Sequence, residues 1–161
     1  MRIILKAMAR LKVLAIAVAT GRIGYVFLEG GVLKDWKLSK KASKSQKAAR
    51  TYVTNLIKVF KPDVVVTEKI SKHSRKGDHA KGLISTIARV AENHELLDVQ
   101  VPRLQAFQNK YEEAKALVLR FPDLRPRLPK EPRIWQSEPF GTIYFEALAM
   151  ALLVIDRRVA V

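Results

Sequence analysis

Apolar residues recur along this chain in two rhythms, and the switches between them mark out the elements. "KVLAIAVA" (residues 12–19) and "IGYVFLEG" (23–30) are runs of β-branched and aromatic residues separated only by Thr20-Gly21-Arg22. Two such runs joined by a glycine turn predict a hairpin. "GGVLKDWKL" follows as a third strand after Gly30-Gly31, so the chain opens as an antiparallel meander. The rhythm then turns helical. In "SKKASKSQKAARTYVTNLIKVF", Ala49, Val53, Leu56, Ile57 and Phe60 share one face. Pro62 and Asp63 stop that helix, and "DVVVTEKI" has the unbroken apolar character of a doubly buried parallel strand.

Beyond the basic loop "SKHSRKGDHAKG", Leu83, Ile84, Ile87, Ala88 and Ala91 define a second helix, and "LLDVQVP" is a short strand. Asn109 is placed to cap a third helix, "KYEEAKALVLRF", with Glu112 and Glu113 in its first turn. From Pro122 to Pro139, prolines and arginines predict an irregular surface segment anchored by Trp135. "TIYFEALAMALLVI" is apolar nearly all round and is therefore a buried helix. The fold class is α/β: a mixed five-stranded sheet, its first three strands antiparallel, with helices on both faces. Residues 1–11 read as an N-terminal extension and 12–161 as one domain. The basic start and short apolar run mimic a secretory signal, with Ala17-Val18-Ala19 as a cleavage motif. The run continues across Gly21, however, as a hairpin does.

Composition narrows the partners more than the fold. The formal charge of +15 is an excess most easily understood if a polyanion is the partner. No apolar stretch offers a membrane span, and with no cysteine there is neither a disulfide nor a thiolate metal site. A cytoplasmic protein is expected. No phosphate-cradling glycine loop and no nucleophile constellation points to a small-molecule enzyme.

Two acids stand out. Glu68 ends the apolar strand "VVVTE", and the C-terminal end of a strand in an α/β sheet is where such folds place their sites. Glu146 interrupts "IYFEALAMALL", where a buried charge is costly unless paired or bound to a cation. Each also has a plainer reading: a strand end meeting solvent, and a Glu on the wet stripe of its helix or paired with a linker Lys or Arg. Together they are suited to a divalent cation with oxygen ligands, and the basic stretches to phosphates.

Four stretches in order, "AIAVATGRIGY", Asp35-Trp36, "KPDVVVTE" and "IYFEALAMAL", resemble the RNase H-like superfamily and, within it, Holliday junction resolvases of the RuvC type. The resemblance covers residues 12 to about 155. It implies a metal-dependent nuclease site using Mg²⁺ or Mn²⁺, a branched or structured DNA partner, and a homodimer matched to a two-fold junction. Glu68 and Glu146 fall on two of the family's four acidic positions. The first-strand aspartate position falls on Ala17, and the first acid of the last helix falls on Ile143. The resemblance therefore implies a remnant catalytic and metal site of two glutamates, holding one weak ion at best.

Three readings follow: a nucleic-acid-binding protein with a degenerate site and weak or no cleavage; an active endonuclease with carboxylates relocated from Glu138, Asp35 or Asp78; or a non-catalytic basic scaffold. Lys40, Lys41, Lys44 and Lys47, with Lys72, Arg75 and Lys76 after the Glu68 strand, are the candidate phosphate contacts. Lys110 joins them because resolvases carry a basic helix start in that region. His73 and His79 read as surface loop residues. Trp36 reads as core, although it, Trp135 and Tyr111 are residue types that stack bases.

Overall fold

A computed structural model describes residues 10–71, 76–102 and 109–156. Strand β1 (Lys12–Ala19) pairs antiparallel with β2 (Arg22–Glu29) in continuous register from Lys12↔Glu29 to Ala19↔Arg22. Gly21, at φ +76°, makes the reversal that a side chain would disfavour. β2 pairs antiparallel with β3 (Val32–Ser39) across Gly30 and Gly31, both also at positive φ. β4 (Val64–Glu68) runs parallel to β1, and β5 (Leu97–Val101) parallel to β4. The resulting order, β3-β2-β1-β4-β5, is the mixed sheet that the sequence predicts.

The first predicted helix is broken in two. A 3₁₀ turn over Lys41–Lys44 precedes helix α1 (Gln46–Phe60). Serines cause the break, because their hydroxyls compete with helical hydrogen bonding. Ser39 Oγ accepts from Ala42 N at 3.0 Å, and Ser43 Oγ donates to Lys40 O at 2.7 Å. Ser45, fully extended, then caps α1 by accepting from Ala48 N at 3.0 Å. Helix α2 (Asp78–Asn93) starts earlier than its apolar stripe suggests, so His79 lies in a first helical turn rather than in a loop. Helix α3 (Lys110–Arg120) is capped by Asn109 as expected, with Oδ1 accepting from Tyr111 N and Glu112 N. A 3₁₀ turn over Pro122–Arg127 and an irregular stretch lead into α4 (Thr142–Ile155).

Strand alternation sorts the core into two layers. Val13, Ala15, Ala17, Val64 and Val66 face α3 and α4, whereas Leu14, Ile16, Val18 and Val65 face α1 and α2. Helix α4 is buried nearly throughout, which explains its lack of a polar stripe. Trp36 is partly buried against the core. Trp135 does not anchor its segment: it is 76% exposed at a turn, with Arg133 over its ring. Among the described residues no helix is long and apolar enough to cross a membrane.

Candidate active-site cleft and basic face

The parity that buries Ala17 also brings Glu68 beside it. β1 and β4 align Ala15 with Val66, and two residues further each strand presents its next residue on the α4 side. Helix α4 crosses over this spot and contributes Glu146. Ala17, Val18, Glu68, Lys76, Glu146 and Met150 line one narrow cleft, too tight for a water-sized sphere. The two glutamates singled out in the sequence thus converge, though they lie far apart along the chain.

Apolar packing occupies the other side of this spot. Ile143, one helical turn before Glu146, is fully buried and rests on Gly24, the β2 partner of Ala17. A Cβ at position 24 would lie 2.7 Å from Ile143 Cγ2, so only glycine lets the helix settle this close. Ala17 itself is 3% exposed.

A cation belonging to the chain enters the cleft from the β4–α2 loop. Lys76 Nζ donates to Val18 O at 2.6 Å and lies 3.9 Å from Glu68 Oε2. The β1–β4 register ends at Ala15↔Val66, so Val18 O lies past the paired segment, where the ammonium satisfies it. Glu68 is 8% exposed, a burial that makes a nearby positive charge valuable.

The other carboxylates considered in the sequence lie elsewhere. Asp35 accepts from Tyr25 Oη at 2.7 Å on the opposite face of the sheet, where burial pushes the Tyr25 hydroxyl well up from its usual range and the Asp35 hydrogen bond adds to it. Asp78 is exposed at the start of α2. Glu138 is committed to Arg22 at 2.8 Å and to the Lys110 ammonium. Burial pushes the Glu138 carboxyl up, but the hydrogen bonds from Lys110 and Arg22 outweigh it and hold the group below its ordinary range. Arg22 is itself buried and also donates to Thr20 O, Phe140 O and Thr142 Oγ1, tying the first hairpin to the start of α4. Among the described residues no group of three or more Asp, Glu, His or Cys is arranged to hold a metal ion. Two glutamates sharing a cleft with an ammonium are a poor donor set for divalent ions, which require several oxygens per ion.

The basic residues divide into two groups. Lys40, Lys41, Lys44 and Lys47 are all exposed around the 3₁₀ turn and the start of α1. Beside them runs a groove of about 440 Å³, lined among others by Ser39, Lys41, Ser45, Lys47, Thr51 and Tyr52. Burial pushes the Tyr52 hydroxyl up to about 12. His79 Nε2 donates to Ser43 O at 2.7 Å, holding the turn against α2. Lys40 Nζ lies 4.5 Å from the Phe140 ring centre, and Arg22 lies over the same ring at 4.9 Å. Lys76 and Lys110 point inward to Glu68 and Glu138. Lys72, His73 and Arg75 lie outside the described residues.

The fold is shared with solved structures of low sequence identity. The Thermus thermophilus RuvC structure shares it at a TM-score of 0.59 and 14% identity, over 92% of this chain and 96% of that one. The fold is RNase H-like, of the RuvC type. T. thermophilus RuvC in complex with Holliday junction substrate matches at a TM-score of 0.59 and 16% identity, over 92% of this chain and 95% of that one. Fowlpox virus resolvase in complex with substrate Holliday junction DNA matches at 0.57 and 11%, over 90% and 99%. No protein-family model matches the chain, and no curated protein does.

Within this RuvC-type fold, sequence reasoning missed Arg22, the role of Gly24 and the inward turn of Lys76. Arg22 offered a signal, since it is a charge at the start of an otherwise apolar strand. Lys76 offered none, being one cation among many in a basic loop.

Proposed function

We propose that this protein binds nucleic acid, branched or structured DNA in the first instance, through a RuvC-type scaffold whose nuclease site is degenerate. The observation that carries this reading is the cleft itself. Glu68 and Glu146 remain, Ala17 and the buried Ile143 replace what would be two further acids, and a lysine shares the space. A clamp for two divalent ions needs more carboxylate oxygen than this. Binding does not depend on that clamp. The +15 charge and the exposed lysines along the α1 groove supply phosphate contacts by charge, with little sequence readout. A homodimer would present two such faces to a two-fold junction.

The test pairs binding with cleavage. Fluorescence anisotropy on a four-way junction, a duplex and a single strand is expected to show tightest binding to the junction, weakening steeply with salt. Incubation of the junction with Mg²⁺ or Mn²⁺ is expected to leave it intact or to nick it slowly. Robust cleavage that survives both Glu68→Gln and Glu146→Gln would refute the site assignment. Absence of binding to any nucleic acid at low salt would favour a basic scaffold for an acidic protein.

A further inference from the structure

We infer that Lys76 is a tethered cation that takes the place of a metal ion in this cleft, so that the cleft takes up no divalent ion. The inference deepens the reading of the cleft given above. Three observations carry it. The ammonium donates to Val18 O at 2.6 Å, at the end of the first strand, where the neighbouring side chain is Ala17. It stands 3.9 Å from the buried Glu68 carboxylate. Both lie in the same narrow cleft as Glu146, which leaves no space for a water-sized sphere.

The chemistry explains why a lysine suits what is left. Magnesium holds about six oxygens at near-octahedral geometry and gives up its waters reluctantly. A cleft with two carboxylates and alanine and methionine walls does not supply that shell. An ammonium needs only a few acceptors and carries one compact charge on a flexible stem. Here one acceptor is a strand-end carbonyl, and the charge faces a buried carboxylate. Because the cation is covalently part of the chain, its presence does not depend on ion concentration. The Lys76 side chain is 23% exposed, so a phosphate drawn to the cleft mouth meets a positive charge already fixed there.

The test uses Mn²⁺ alone as the probe, followed by electron paramagnetic resonance and by thermal melting of the full chain. Wild-type protein is expected to leave the free Mn²⁺ signal and the Tm unchanged into the millimolar range. Lys76→Met combined with Ala17→Asp is expected to take up Mn²⁺ at least tenfold more tightly than wild type, with a Tm that rises with Mn²⁺. Lys76→Arg, which keeps the cation, is expected to stay blind to Mn²⁺. Uptake of Mn²⁺ by wild type that Glu68→Gln abolishes would overturn the inference, and this measurement needs no Lys76 variant to fold. Junction binding by wild type is expected to be equal in EDTA and in Mg²⁺. Binding seen only with Mg²⁺ would overturn the tethered-cation inference while leaving the nucleic-acid reading intact. Absence of binding in both, with Mn²⁺ blindness that depends on Lys76, would do the reverse.

Discussion

Ile143 sits on Gly24 so closely that a single added methyl would collide with it, the would-be Cβ lying 2.7 Å from Ile143 Cγ2. This contact docks the first turn of α4 on the hairpin and seals the sheet beside Ala17 with hydrocarbon. Gly24→Ala is therefore expected to destabilise the fold by about 1–3 kcal/mol through overpacking. Ile143→Ala alone is expected to cost about 2–5 kcal/mol through the cavity it leaves. The double variant should lose clearly less than the two together, because the smaller side chain admits the new methyl. Urea denaturation of the four proteins measures the coupling, and simple additivity would show that the two residues do not press on one another.

The Arg22–Glu138–Lys110 cluster predicts a specific acid sensitivity. The folded-state value of Glu138 lies below its ordinary 4.5. A carboxyl so depressed contributes stability that is fully present above the unfolded value and is lost as pH falls through the folded one. Thermal stability should therefore fall below about pH 4.5, and Glu138→Gln should flatten part of that fall. At neutral pH, Glu138→Gln is expected to cost about 1–3 kcal/mol, since the buried Arg22 loses a charged acceptor. Melting curves from pH 3 to 7 (about four pH units) on both proteins test the sign, and parallel curves would count against it.

The succession of strands and helices, the mixed sheet with its antiparallel opening and the meeting of Glu68 with Glu146 were legible in the sequence, because each follows from a period or from a residue type out of place. Val64, Val65 and Val66 announce a strand buried on both faces, and Glu68 at its end is conspicuous against them. What stayed hidden depends on three-dimensional approach. Nothing in "GRIGY" shows that Gly24 is glycine for the sake of a side chain more than a hundred residues away. The break in the serine-rich stretch before α1 is hidden for a related reason. Helical spacing is set by apolar residues, whereas Ser39, Ser43 and Ser45 end and restart the helix through hydroxyl bonds that leave no periodic trace. Trp135 reads as an anchor only if it has a groove to fill, and the structure leaves it at an exposed turn.

The His79–Ser43 bond predicts a link between α2 and the basic turn. Nε2 donates to Ser43 O at 2.7 Å, and both Lys41 and Lys44 ride on that turn. His79→Phe keeps the ring but removes the donor, leaving the carbonyl to water. Stability is expected to fall by about 1 kcal/mol. Junction affinity is expected to fall severalfold, because the lysines lose their fixed placement. Limited proteolysis should cut faster between residues 40 and 47 in the variant, and an unchanged rate would show that the turn holds without the histidine.

Charge contacts and a protein–protein scaffold differ most sharply in their response to salt. Each phosphate contact contributes about 0.9 to the slope of log affinity against log salt for duplex DNA. Lys41 and Lys47 line the α1 groove and Lys44 ends the adjoining 3₁₀ turn; all three are exposed, and changing them to Gln leaves the core untouched. If they lie on the phosphate track, the triple variant should lose roughly 2–3 from the slope while its Tm stays near that of wild type. Changing the exposed Lys58 and Lys61 at the far end of α1 removes two charges, one fewer than the triple variant, and removes them away from that groove. That variant should therefore alter affinity uniformly and less, with a slope close to the wild-type value. Equal slopes for both variants would mean that the +15 charge attracts DNA only diffusely, and that the α1 groove is not where the backbone lies.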